Sequence, residues 1–173
     1  DADKASPARV AASLPTALSL RANFSWTFVG NVVYAGCQWG MLVVLAKLGT
    51  PEMVGQFALG IAVSSPIIMF ANLQLRGVQA TDAKRQFLFP DYLGLRLITA
   101  LFASLIIAAI AIWGGYRFET ALVILTMGLA KAIESVSDVI YGFLQQQERM
   151  DRIAKSYMIK GPLSLAMLGV FVA

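Results

Sequence analysis

The stretch TALVILTMGLAKAIESVSDVIYGF, Thr120 to Phe143, is long and apolar enough to cross a bilayer, yet it carries Lys131, Glu134 and Asp138 in its middle. At 100° per residue these three sit at about 0°, −60° and −20°, one narrow face of a helix. Gly128, Ser135, Gly142 and Gln145 fall on or beside that face. An ionisable group in hydrocarbon costs roughly 2.5–3.5 kcal/mol even on lenient scales, so such groups turn toward a protein interior or a watery cavity. Three on one face mark the helix as a pathway candidate.

Composition places that helix in a membrane protein. Hydrophobic residues make up 58% of the chain and charged residues 14%, with a mean hydropathy of +0.69. A soluble domain has about 25% charged residues. The absence of histidine removes the usual general base and the commonest metal ligand. The single cysteine, Cys37, excludes an internal disulfide or a cysteine zinc cluster. No cofactor is expected.

Working outward, hydropathy divides the chain into a polar cytoplasmic tail, 1–21, and a transmembrane domain, 22–173. Spans are expected near 24–46, 52–74, 93–113, 120–143 and 153–173, each close to the roughly 20 residues a crossing needs. The chain starts without Met and stops inside an apolar run, which reads as a fragment with its fifth span truncated. The expected fold is all-α, a polytopic transmembrane helix bundle.

Within the first span, Asn23, Thr27, Asn31, Tyr34 and Gln38 recur at helical spacing and draw a polar stripe. Lipid is unfavourable for such a stripe, so it points into the bundle, either for interhelical hydrogen bonding or as a cavity lining. Gly36 and Gly40 form a small-residue pair suited to close packing. Gly49 ends the first helix, Thr50 caps the next, and Pro51 suits its first turn. Pro66 is expected to kink the second span. Arg76 to Tyr92 reads as a charged loop. The third span is the most uniformly apolar and is expected to have the greatest lipid exposure, with Arg96 snorkelling to the interface.

Basic residues set the orientation. Lys4, Arg9 and Arg21, then Arg76, Lys84, Arg85 and Arg96, then Arg149, Arg152 and Lys155 lie on one side, with only Lys47 and Arg117 on the other. The amino terminus is expected in the cytoplasm. The phosphate loop, the H-E-x-x-H and the G-x-S-x-G patterns are all missing, and both outer connections are only a few residues long. A carrier or channel part is expected, not an enzyme and not a nucleic-acid binder.

Several segments resemble one family. Asn31-Val32-Val33-Tyr34 with Gln38-Trp39, Gly55-Gln56-Phe57-Ala58-Leu59-Gly60, Leu75 to Asp82, and Tyr92 to Arg96 are similar to segments of the bacterial O-antigen and exopolysaccharide flippases. So are Lys131 to Asp138 and Tyr141 to Gln145. The resemblance runs from about Leu20 to Gly161, and the order and spacing of the segments carry it. That family belongs to the multidrug/oligosaccharidyl-lipid/polysaccharide flippase superfamily, whose members place two related bundles around a central cavity. This chain would form part of the first bundle of such a two-bundle transporter.

The resemblance implies translocation of a polyprenyl-diphosphate-linked oligosaccharide across the bacterial inner membrane, from cytoplasmic to periplasmic leaflet, for surface polysaccharide assembly. Its partners would be that lipid-linked substrate, membrane lipids and other polysaccharide assembly proteins. Lys131, Lys160 and Arg76 would supply cations to the anionic head group, with Asn31 and Gln38 for sugar hydroxyls. Glu134 and Asp138 would either neutralise Lys131 or bind a coupling proton or cation. A purely structural Lys131–Glu134 pair is the plainer alternative. A drug/cation antiporter of the same superfamily and a non-transporting accessory membrane protein are the competing functions.

Overall fold

The computed structural model describes residues 18–82 and 87–172. Most of the expected tail, with Lys4 and Arg9, lies outside them, as do Lys84 and Arg85. The described residues form six helices joined by short connections: α1 Leu20–Leu48, α2 Pro51–Ala71, α3 Leu75–Thr81, α4 Phe89–Trp113, α5 Phe118–Gln146 and α6 Met150–Val172.

Local chemistry sets the ends of these helices. Ser19 accepts a hydrogen bond from the Ala22 N–H at 3.3 Å and caps α1. Thr50 accepts from the Met53 N–H at 3.3 Å, with Pro51 and Glu52 filling the first turn of α2. Asp91 accepts the Leu88 N–H at 2.9 Å and starts α4, where Pro90 fits the first turn. Gly115, at φ 68°, supplies the left-handed residue in the turn from α4 to α5.

Three stretches, Leu20–Leu48, Pro51–Thr81 and Phe89–Trp113, are long and apolar enough to cross a membrane, which marks the chain as a membrane protein. Helices α5 and α6 have 29 and 23 residues but carry charges along their length.

The helices pack as two groups. Helix α1 lies along α6, while α5 is surrounded by α2, α3 and α4. In the second group Ile68, Ala103, Ile107, Ala111, Ile124 and Ala132 form the main core. Gly128 admits Ile107 so closely that a Cβ there would lie 2.7 Å from its Cγ2. In the first group Gly30 seats Ala154, and Gly161 seats Cys37. Gly40 meets Leu165, but a Cβ at Gly36 would have nothing within 4 Å. The expected Gly36/Gly40 contact is therefore corrected: the close approach is made at Gly30 and Gly161, which face the neighbouring helix, whereas Gly36 does not.

Two further expectations change. Helix α4 has 28% of its apolar window buried against 11% for α1, so it is not the most exposed span. Its small residues Ala100, Ala103 and Ala111 share a face with Ile107 and let α2 and α5 close on it. The expected loop from Arg76 instead begins with α3, because Leu75 and Gln79, one turn apart, are both buried. Helix α2 runs through Pro66 and stops only at Ala71. Beyond it, Leu73 and Gln74 adopt φ 46° and 52° in succession. The left-handed conformation costs a non-glycine residue roughly 1–2 kcal/mol.

Candidate functional site

The charged face of α5 lies along the seam between the two helix groups, and the other helices bring partners to it. Glu134 is the centre of the first cluster. It accepts from Lys131 Nζ at 2.9 Å one turn back on α5, from Lys160 Nζ on α6, and from the Tyr34 hydroxyl on α1 at 3.1 Å. Lys160 also lies 5.7 Å from the centre of the Tyr34 ring. Gln38 adjoins the Tyr34 hydroxyl from the next turn of α1.

Asp138, one turn further along α5, is the centre of the second. It pairs with Arg76 of α3 at 3.4 Å. The same guanidinium donates to the Tyr157 hydroxyl at 3.3 Å and, through Nε, to Gln145 Oε1 at 3.4 Å. Tyr157 stacks on Tyr34 with centroids 5.1 Å apart and meets Tyr141 edge-on at 5.3 Å. The Tyr141 and Ser156 hydroxyls share a hydrogen bond of 2.7 Å. The tyrosines thus join the two ionic clusters into one polar layer.

The layer carries Arg76, Lys131 and Lys160 against Glu134 and Asp138. The five side chains are each about a third exposed, from 30% to 37%. Such exposure leaves them reachable from the seam rather than sealed within it. Two cavities open onto it. One of about 320 Å³ is lined by Thr27, Asn31, Arg76, Gln145 and Tyr157, among others. The other, about 170 Å³, is lined by Ser65, Asn72, Lys131, Glu134, Ser135 and Asp138, with apolar neighbours.

Of the sequence-derived candidates, Asn31 and Arg76 therefore share one cavity, while Lys131, Glu134 and Asp138 share the other. Lys160 joins them through Glu134. Gln38 lines neither of these cavities and touches the layer only through Tyr34. The proposed Lys131–Glu134 pair is present, but Glu134 serves two lysines at once.

Sequence reasoning missed Tyr141, Tyr157 and Asn72, and misplaced Arg96. Arg96 does not reach an interface: it is 1% exposed and donates to Asn72 Oδ1 at the end of α2. Among the described residues its Nε has no hydrogen-bond partner. The signal was available, since Arg96 lies one turn before Ala100 on the face continued by Ala103, Ile107 and Ala111.

At the turn between α5 and α6, Arg149 grips Asp151 through Nε at 2.9 Å and a second nitrogen at 3.0 Å. That hydrogen-bonded grip holds the Asp151 carboxyl below its usual range and the Arg149 guanidinium above its own. The Met150 N–H donates to Asn23 Oδ1 at 3.3 Å, tying the turn to the start of α1.

No protein-family model matches the chain, and no solved structure does. The chain is 30% identical over 148 residues to the capsular polysaccharide biosynthesis protein CapF of Staphylococcus aureus. The match covers 84% of this chain but 36% of that protein, so the chain spans about a third of the length of its relative. It is thus similar to a protein of polysaccharide biosynthesis.

Proposed function

We propose that this chain is part of a carrier that flips a polyprenyl-diphosphate-linked oligosaccharide across the bacterial inner membrane for surface polysaccharide assembly. The observation that carries this reading is the layer in the seam, where Arg76, Lys131 and Lys160 outnumber Glu134 and Asp138 by one positive charge. An anionic diphosphate needs cations that remain reachable, and side chains about a third exposed meet that need. The sugar needs amides and hydroxyls, which Asn31, Gln145, Thr27 and Tyr157 offer in the adjoining cavity. Similarity to a capsular polysaccharide biosynthesis protein supports the same cargo class.

In this reading α5 and α6 also cross the membrane, their charges turned into the seam rather than toward lipid. The amino terminus is cytoplasmic, on the side richer in Lys and Arg. The carrier of which it is part performs translocation and no covalent chemistry, without a cofactor. The rest of a longer protein would supply a second bundle facing the seam.

The test is translocation of a fluorescent lipid-diphosphate oligosaccharide in vesicles containing the full-length protein, and surface polysaccharide in cells. Arg76→Ala and Lys131→Ala should each abolish or strongly reduce both while the protein still inserts. Normal export in both variants would remove this layer from the pathway.

A further inference from the structure

Asp138 is held by one arginine and shares a cavity with Asn72, which a second arginine, Arg96, bonds. Arg76 on α3 pairs with Asp138 at 3.4 Å. Arg96 on α4, buried to 1% exposure, keeps an Nε that has no hydrogen-bond partner among the described residues. Arg96 is anchored on Asn72, the residue that closes α2. The next two residues, Leu73 and Gln74, are the left-handed pair at φ 46° and 52° that separates α2 from α3. A single helix over Pro51–Thr81 is interrupted only by this joint.

Neither side of the joint is fully satisfied as it stands. Two consecutive non-glycine residues hold a conformation they disfavour. On α3, Gln79 is 1% exposed and its Oε1 lacks a partner. Gly142 of α5 leaves room for that oxygen, which a Cβ there would meet at 2.5 Å. Arg96 carries an unmet N–H in the interior. Against these costs stand the bonds that Arg76 makes to Asp138, Tyr157 and Gln145. Releasing Arg76 would relax the backbone, let the buried Gln79 Oε1 find a partner and leave a carboxylate for Arg96. Opposing terms of this kind produce two discrete arrangements rather than a soft bend.

We propose that the α2–α3 joint is a two-state hinge, latched in its bent form by Arg76 on Asp138, with Arg96 receiving Asp138 when α3 straightens onto α2. The hinge follows from the joint itself and holds whatever the carrier transports. It would move Arg76, and with it one wall of the 320 Å³ cavity, as a unit.

Spin labels at the exposed Val54 and Val78, in a Cys37→Ser background in lipid nanodiscs, report the two states. In a straight helix the 24 intervening steps give a Cα separation of about 36 Å, and any bend shortens it. The parent should show the shorter distance. Arg76→Gln should add a population near the straight-helix value. Asp138→Asn should add a smaller one, because it opens the latch but removes what Arg96 receives. Adding Leu73→Gly and Gln74→Gly to Arg76→Gln should restore the short distance, since glycine removes the penalty on the bent form. An unchanged distance distribution in both Arg76→Gln and Asp138→Asn would overturn the hinge. Equal long populations in those two variants would overturn the part given to Arg96.

Discussion

Tyr34 and Glu134 are a hundred residues apart in the chain and joined by a hydrogen bond of 3.1 Å, from the phenol of α1 to the carboxylate of α5. This bond crosses the seam between the two helix groups, where Lys160 of α6 also reaches Glu134. The seam is therefore held by polar contacts, while each group is packed internally by small and apolar residues. Contacts of this kind can be exchanged without tearing a core.

Tyr34→Phe keeps the ring stacked on Tyr157 and removes only the bond to Glu134. A hydrogen bond to a charged group contributes about 1.5–3 kcal/mol when buried, and less in a partly hydrated seam. The variant should unfold at a slightly lower temperature in detergent. Tyr34→Ala, which also loses the ring contact, should fall clearly further. Equal melting temperatures for the two variants would show that the hydroxyl, not the ring, carries the whole contribution.

Removing Glu134 should cost more, because Lys131 and Lys160 would then face each other without a counter-charge. Breaking a fully buried ion pair from one side costs about 3–5 kcal/mol, a figure that partial exposure here reduces. Glu134→Ala should lower the melting temperature more than Tyr34→Phe. Glu134→Ala combined with Lys160→Met should recover part of the loss. A double variant that melts below both singles would contradict the pairing.

The face bearing Lys131, Glu134 and Asp138 could be read from sequence because all three sit within two turns of one helix. The pairings they make across helices could not. Tyr34, Arg76 and Lys160 come from other helices, and their arrival depends on α1 lying against α6, a tertiary fact with no local signature. Arg96 was misplaced for a related reason: its position near a span end suggested snorkelling, while the small-residue face that buries it was read only as lipid-facing. The charge of the 76–92 region hid α3, whose buried Leu75 and Gln79 supply one short turn of pattern. Five long helices were legible from hydropathy; the joint at Leu73 and Gln74 was not, since neither residue is one that normally announces a left-handed backbone.

Glycine substitutions separate the contact that packs α1 on α6 from the one that merely resembles it. A Cβ at Gly30 would stand 2.8 Å from Ala154 Cα, a backbone atom that cannot swing aside. Gly30→Ala should therefore push the helices apart and lower the melting temperature by an amount typical of overpacking, about 1–3 kcal/mol. Gly36→Ala meets nothing within 4 Å and should stay within about 0.5 kcal/mol of the parent, or gain slightly from helix propensity. A Gly36→Ala loss matching that of Gly30→Ala would restore the small-residue pair as the packing site.

The Arg149–Asp151 grip predicts a pH dependence for the turn between α5 and α6. The Asp151 carboxyl is held below its usual value, chiefly by its hydrogen bonds from Arg149, so the folded form binds its proton less readily than the unfolded chain. The stabilisation is then fully present above the unfolded value of about 3.9 and is lost as pH falls through the lower folded value. Asp151→Asn should melt below the parent at neutral pH and converge on it as the pH is lowered beneath about 4. The melting-temperature difference between the two, followed from pH 7 downward, measures this directly. A gap that stays constant well below pH 4, with the parent still folded, would mean that ionisation of Asp151 is not its source.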